Sequence, residues 1–518
     1  MRRGPSIHPT PWERASRHVV DSSTQRGGDS PAQVEWRPMN EVMQSIARCS
    51  SAIRGPAPGD YELRVHDASD VSATAARVAS GQAVWADAGV AHRRAVLAAF
   101  RDALSAARPS WWPRSKPTRG GVGPRTWKWI PCCRTSTRCS RYATGIFDAR
   151  SSVATADPGV RFADLEPCRL VGCISPWNFP LQLALIDAVP ALLAGSSVVV
   201  KPSEMTPRFV PVLRSILAKT SALDQVLAIV EGDAVTGAAL VAVADAICFT
   251  GSTATGRRIA QTAAERLVPA FLELGGKDPA IVLQSADLDA ASSAIIWGST
   301  INSGHSCMSI ERVYVDEEIF EPFVERLVRK ANAARLAYPS VGDGEIGPII
   351  TEQQIAVIEA QLRDAVERGA TIRTGGEMEL LGGGTYLRPT VLTDVDHSMR
   401  IMQEETFGPI VPLMPFATSA DAVSLANDGQ YGLSAAVFAA TVDEALEVAH
   451  QLEAGGVSIN DVCLTGLVPE AEKNSFKLSG LGGSRMGPSS VRRFLRQRAI
   501  ISRDRAGPRP WYYDAAGA

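Results

Sequence analysis

The side chain best suited to covalent chemistry in this sequence is Cys307, in the segment Asn302-Ser-Gly-His-Ser-Cys307. A thiolate is a strong nucleophile, and the segment reads as a helix start, where the dipole would lower a thiol pKa. Taken alone, a cysteine is more often a small buried hydrophobe. His305 is the basic residue nearest in sequence, but a Cys/His pair two residues apart seldom points the two side chains at each other, so it is set aside as a base. Glu273, in Glu273-Leu-Gly-Gly-Lys-Asp-Pro279, is a carboxylate beside two glycines, where backbone can come close to a ligand. Asn178, in Ser175-Pro-Trp-Asn-Phe-Pro180, could offer an amide N–H to a developing oxyanion or simply shape a turn.

A second group of residues suits a dinucleotide. Val198-Val-Val-Lys-Pro-Ser-Glu204 ends a strand-like run with Lys201 and Glu204, which could hold ribose hydroxyls or form a surface ion pair. Two glycine turns follow, Glu231-Gly-Asp-Ala-Val-Thr-Gly237 and Phe249-Thr-Gly-Ser-Thr-Ala-Thr-Gly256. In the second, Ser252 or Thr253 can cap a helix whose free N–H groups would suit a phosphate. Neither turn has the spacing of the usual dinucleotide fingerprint.

These residues need a scaffold that places them together. Apolar runs at Leu170–Ser175, Ser197–Lys201, Ala246–Thr250, Ala280–Leu283 and Val313–Val315 alternate with helical stretches at Leu181–Ala194 and Phe320–Ala337. That alternation predicts α/β architecture with parallel sheets. A further helix is predicted over Ala91–Leu104, with Val96, Phe100 and Leu104 inward and Arg93 elsewhere. Residues 1–38, rich in Pro, Ser, Arg and Gly, read as a disordered extension.

Between Ala103 and Phe147 there is no Asp or Glu against nine Lys/Arg, and the stretch holds four Trp and five Pro. Pro109, Pro113, Pro117, Pro124 and Pro131 argue against a long helix there. A basic nucleic-acid arm and a metal site on Cys132, Cys133 and Cys139 both lack the necessary spacing, which leaves an irregular surface segment or a locally displaced reading frame over about 107–147.

Length sets two or three domains for 518 residues. Fifty-three Lys+Arg against 55 Asp+Glu provide no global attraction for nucleic acid or anionic membrane, and no apolar run is long enough for a membrane span. Nine unevenly spaced cysteines fit reduced thiols in a cytoplasmic protein better than a secreted disulfide framework.

The order of Asn178, Lys201, Glu204, the Phe249–Gly256 turn, Glu273-Leu-Gly-Gly-Lys, Cys307 and Glu404-Glu-Thr-Phe-Gly-Pro409 resembles the NAD(P)-dependent aldehyde dehydrogenase superfamily over about residues 160–500. The resemblance implies oxidation of an aldehyde to its carboxylic acid. Cys307 would form a thiohemiacetal and then a thioester, Asn178 would steady the oxyanion, and Glu273 would activate water. It implies NAD rather than NADP, because Glu204 beside Lys201 disfavours a 2′-phosphate. Ser175, Trp177, Gly232, Gly251, Ser252, Thr255, Gly256, Gly275, Gln354, Glu405 and Phe407 match the remaining cofactor contacts, and no metal is implied.

By the same resemblance, a Rossmann-like cofactor domain would span 39–148 and 168–275 and an α/β catalytic domain 276–474. A small β oligomerisation arm from 149–167 and 488–503 would build a homodimer or homotetramer. The sequence departs from relatives at His305, at Ala234 and over Asn474–Gly487, which leaves the aldehyde open. Two other readings stay open: a CoA-acylating semialdehyde dehydrogenase, which Glu273 disfavours, and a non-catalytic binding protein on the same fold.

Overall fold

The computed structural model describes residues 63–107, 131–148 and 160–501, apart from 341 and 469. The unalternating apolar runs Ser197–Lys201 and Ala246–Thr250 form strands buried along their whole length, as parallel strands covered on both faces must be. They belong to a six-stranded sheet ordered Gly480–Leu481, Ala270–Glu273, Ala246–Thr250, Leu170–Ile174, Ser197–Lys201, Leu227–Ile229. Only Gly480–Leu481 runs antiparallel to its neighbour. The chain builds this sheet from Leu170–Ile174 outward to Leu227–Ile229, then returns to lay Ala246–Thr250 on the other side of the first strand. The winding therefore reverses between Leu170–Ile174 and Ala246–Thr250, and open α/β sheets place ligands beyond the carboxyl ends of such a strand pair.

Alternation along the strands splits the core. Val171, Cys173, Val198 and Val200 join Leu97, Phe100, Leu192 and Phe209 on one face, while Leu170, Val199 and Ala228 meet Val71, Val78 and Leu240 on the other. The helix predicted over Ala91–Leu104 spans Gly89–Ala106, and contrary to the expected face Arg93 is buried in it. Its Nε donates to Leu193 O at 3.0 Å and its Nη1 to Ala86 O at 2.7 Å. Those carbonyls end two other helices, so the guanidinium supplies donors where the helices have none left. The expected helix Leu181–Ala194 is broken into Pro180–Leu185 and Ala188–Ala194, with Asp187 at the break. The helix expected to run to Ala337 stops at Ala333.

The irregular stretch needs correction for its second half. Residues 131–148 form an 18-residue helix that opens on Pro131, because a proline in the first helical turn lacks only an N–H that would have had no partner. Cys139, Ala143 and Ile146 sit in the same core as Leu97 and Leu104, so this part is packed rather than an irregular surface segment. Pro109, Pro113, Pro117 and Pro124, and most of the window assigned to a displaced frame, lie outside the described residues, as do residues 1–38.

Beyond Glu273 the chain crosses to a seven-stranded sheet. Its order is Val457–Ile459, Ala435–Phe438, Asp278–Val282, Ile310–Asp316, Ile410–Phe416, Thr390–Thr393, Thr371–Thr374, parallel except for the last pair. The segments expected to form an arm pair with each other as an antiparallel ribbon, Val160–Pro167 against Leu495–Ile501. No helix among the described residues is long and apolar enough to cross a membrane.

Candidate active site

Asn178 and Glu273 both emerge from carboxyl ends of first-sheet strands, and Cys307 comes from the loop between Leu288–Thr300 and Ile310–Asp316. The expectation that Cys307 opens a helix is wrong. The preceding helix has ended, and Ile301–Gly304 forms a tight turn in which Asn302 (φ 51°), Ser303 (φ 60°) and Gly304 (φ 77°) are all left-handed. Such strain persists only where neighbours enforce it. Asn302 Nδ2 donates to Asn178 O at 3.0 Å, while Ser303 Oγ donates to Gly347 O at 3.0 Å. A Cβ on Gly304 would stand 2.2 Å from the Gly408 carbonyl carbon, so only glycine lets the two loops meet.

Cys307 is a free cysteine, half-buried as a residue. No helix dipole lowers its pKa; burial and the carboxylates of Glu405, Asp278 and Glu273 push it up to about 12. Asn178 is buried, with Nδ2 donating to His305 O at 3.1 Å and Oδ1 lacking a hydrogen-bond partner. The ring of His305 lies edge-on to Trp177 at 5.3 Å, and Phe407 meets Trp177 at the same distance.

Glu273 is partly buried, accepts a hydrogen bond from Ser475 Oγ at 3.2 Å, and lies 3.8 Å from Arg485 Nε. Three residues further on, a Cβ added to Gly276 would fall 2.1 Å from Cys307 O. The strand end carrying the carboxylate is thus pressed against the cysteine's own backbone.

Glu405 accepts from Gly276 N at 3.0 Å, and burial together with Glu311 pushes its carboxyl up to about 8. A Cβ on Gly275 would meet Glu405 Oε2 at 2.6 Å. The loop bearing Glu405 and Phe407 is held by residues that sequence reasoning passed over. Glu311 accepts from Thr406 N at 2.7 Å and Phe407 N at 2.8 Å, and pairs with buried Lys277 at 2.9 Å. Gln361 Nε2 donates to Glu405 O at 3.2 Å. Gln354, expected to touch the cofactor, donates to Thr406 O at 2.6 Å and so also braces the loop. Glu311 could have been noticed as a charge opening the apolar run after Cys307; Arg485 and Ser475, in the divergent Asn474–Gly487 stretch, carried no signal.

The remaining cofactor candidates line the strand ends. Lys201 is buried and pairs with Glu204 at 2.7 Å, and nearby Thr206 Oγ1 donates to Trp177 O at 3.2 Å. Ser252 caps the helix Thr253–Glu265, its Oγ accepting from Thr255 N at 3.3 Å. Gly251 lets Phe249 fold beneath the turn, and Gly256 lets the helix close on Leu274, whose Cδ2 would be 2.4 Å from a Cβ. Gly232 (φ 151°) stands apart, tucked under Thr236 in the loop after the edge strand Leu227–Ile229. Ser175 Oγ is buried without a hydrogen-bond partner at the reversal point. A helix N-terminus, an unpartnered hydroxyl and glycine-thinned turns at that place fit a dinucleotide.

Comparison with known proteins shows the family. The sequence profile described as the aldehyde dehydrogenase family matches residues 51–500. The solved structure of PutA from Anabaena variabilis, provisionally named an aldehyde dehydrogenase, is 47% identical, with TM-score 0.82 over 88% of this chain and 97% of that one. An aldehyde dehydrogenase of Mycobacterium tuberculosis complexed with NAD+ is 31% identical, with TM-score 0.77 over 85% of this chain and 91% of its own. A chain of Mycolicibacterium smegmatis provisionally named succinate-semialdehyde dehydrogenase [NADP(+)] is 34% identical over 445 residues, 85% of this chain and 86% of the relative. With a profile match this long and a thiol, a carboxylate and a carboxamide gathered at the sheet ends, the chain belongs to the aldehyde dehydrogenase family and is an oxidoreductase of the aldehyde group.

Proposed function

We propose that Cys307 is the nucleophile, Glu273 the general base and Asn178 the oxyanion donor of an aldehyde oxidation with NAD as preferred acceptor. The observation that carries this reading is the close approach of Gly276 to the Cys307 carbonyl, which locks the Glu273 strand end to the cysteine loop.

The thiol must first lose its proton, since its surroundings hold it protonated at neutral pH. Sγ then adds to the aldehyde carbon. The former carbonyl oxygen takes up negative charge, and the Asn178 amide would donate to it. A bound nicotinamide dinucleotide supplies the hydride acceptor. The residues that would hold it are Lys201 and Glu204 on the adenosine side, the Ser252-capped helix start at the phosphates, and Glu405 with Phe407 at the nicotinamide end. In the second half-reaction Glu273 takes a proton from water as its oxygen attacks the thioester carbon; the C–S bond breaks and Sγ leaves as thiolate.

NAD is preferred because the Glu204 carboxylate, fixed by Lys201, opposes a 2′-phosphate. The antiparallel ribbon of Val160–Pro167 and Leu495–Ile501 supports assembly into a homodimer or homotetramer. Purified protein should reduce NAD with members of an aldehyde panel, and Cys307→Ala should abolish this. NADH formation that survives in Cys307→Ala rejects the covalent route.

A further inference from the structure

Behind Glu273 lies a buried charge cluster with no assigned task. Asp187 sits between two arginines: Arg485 Nη2 donates to its Oδ2 at 2.6 Å, and Arg493 donates to its Oδ1. All three side chains are nine-tenths or more buried. Although burial pushes the Asp187 carboxyl up, Arg485 and Arg493 outweigh it and hold it below the usual carboxylate range. Arg493 also lies over the rings of Phe271 and Phe494, at 5.0 and 4.8 Å. One carboxylate against two guanidiniums leaves an excess positive charge in a site that water scarcely reaches, an expensive arrangement unless a further anion balances it.

Glu273 is placed to be that anion. Arg485 Nη2 is already committed to Asp187 and to Thr250 Oγ1 at 2.7 Å, which fixes the guanidinium plane. Its Nε is buried without a hydrogen-bond partner and lies 3.8 Å from Glu273 Oε1. The second carboxylate oxygen is held by Ser475. Thr250 and Glu273 are neighbours across adjacent strands, and Gly480 pairs with Glu273 from the other side, so the backbone sets this spacing.

We propose that Arg485 is a positioning residue for the general base, acting through Glu273 to hold its carboxylate in register for deacylation. This inference rests on the thioester reading above. Hydride loss precedes water activation, so removing Arg485 should leave thioester formation intact and slow only its hydrolysis.

The test compares the full-length wild type with Arg485→Gln, Arg485→Lys and Glu273→Gln, using NAD and an aldehyde that the enzyme oxidises. Arg485→Gln should keep kcat/KM for the aldehyde, with KM falling alongside kcat, and show a rapid stoichiometric burst of NADH. Steady turnover should then fall about 10- to 100-fold, the loss expected when a catalytic group is displaced by about an ångström. Hydroxylamine, which cleaves a thioester without a protein base, should restore turnover, and Arg485→Lys should recover part of it. Wild-type turnover in Arg485→Gln, loss of its burst, or a slow rate that hydroxylamine does not raise would overturn the proposal. Should Arg485→Gln not fold, Arg485→Lys decides: a smaller version of the same burst and rescue supports the proposal, and unchanged turnover overturns it. Glu273→Gln separates the two levels, because the absence of a burst and of rescue there would sink the thioester reading itself.

Discussion

Replacing Gly276 with alanine should separate catalysis from folding more sharply than any change at the reacting groups themselves. The added methyl would lie 2.1 Å from Cys307 O, 3.1 Å from Asp278 Oδ1 and 3.3 Å from Cys307 C. An ordinary carbon–oxygen contact is about 3.4 Å, so the two backbones must part by roughly 1.3 Å. Neither can flex at a side-chain tip. The yielding partner is the Ser306–Met308 loop, which a strained turn anchors at one end and a seven-residue strand at the other. Displacing Sγ by about 1 Å from its attack position should lower kcat about a hundredfold, whereas overpacking should cost roughly 1–3 kcal/mol of stability. Initial rates of NADH formation, paired with thermal denaturation of the same samples, provide the readout. Near wild-type kcat in a protein of unchanged melting temperature would show that Gly276 and Cys307 are not in contact, and the site as described would fail with it.

Three further outcomes follow from the same structure. Asp278 is pushed up to about 7, chiefly by burial, so its protonated form stabilises the fold fully below its unfolded value of 3.8 and that contribution is lost as pH rises through 7. Asp278→Asn should therefore melt higher than wild type at pH 8.5, by roughly 1–4 kcal/mol, with the gap closing toward pH 4; a pH-independent gap would contradict this. Glu204→Gln should erode discrimination between NAD and NADP at least about tenfold in Kd, since Lys201 then faces a phosphate without an opposing carboxylate; unchanged selectivity would remove Glu204 from the ribose site. Gly145 lies inside the helix Pro131–Asp148 with nothing within 4 Å of a Cβ, so Gly145→Ala should stabilise by about 0.5–1 kcal/mol; a clear loss of melting temperature would argue against a helix there.

Much of the scaffold was legible because burial on both faces writes itself as an unbroken apolar run. Ser197–Lys201 and Ala246–Thr250 were predicted to the residue. The loops that follow such strands could be placed for the same reason, and with them Asn178, Glu204 and Ser252, whereas Glu273 ends a strand, Ala270–Glu273, that was not predicted. The prolines before Phe147 misled by number, since position decides their effect and Pro131 occupies the one turn that tolerates it. Arg93 misled by type: its charge pointed outward, whereas the carbonyls ending two helices drew it in.

Local spacing determined which backbone turns exist and which side chains stand at their ends, because strand length, capping and glycine conformation are settled within a few residues. Only the tertiary structure decided what surrounds them. Sequence reasoning passed over Glu311, Arg485 and Asp187, yet they are buried where they bind a loop or one another. Cys307 read as a thiol acidified by a helix, yet burial first, and then acidic groups from distant segments, press its proton on. Electrostatic fields sum over distance in space, and distance in space is what a linear chain does not contain until it folds.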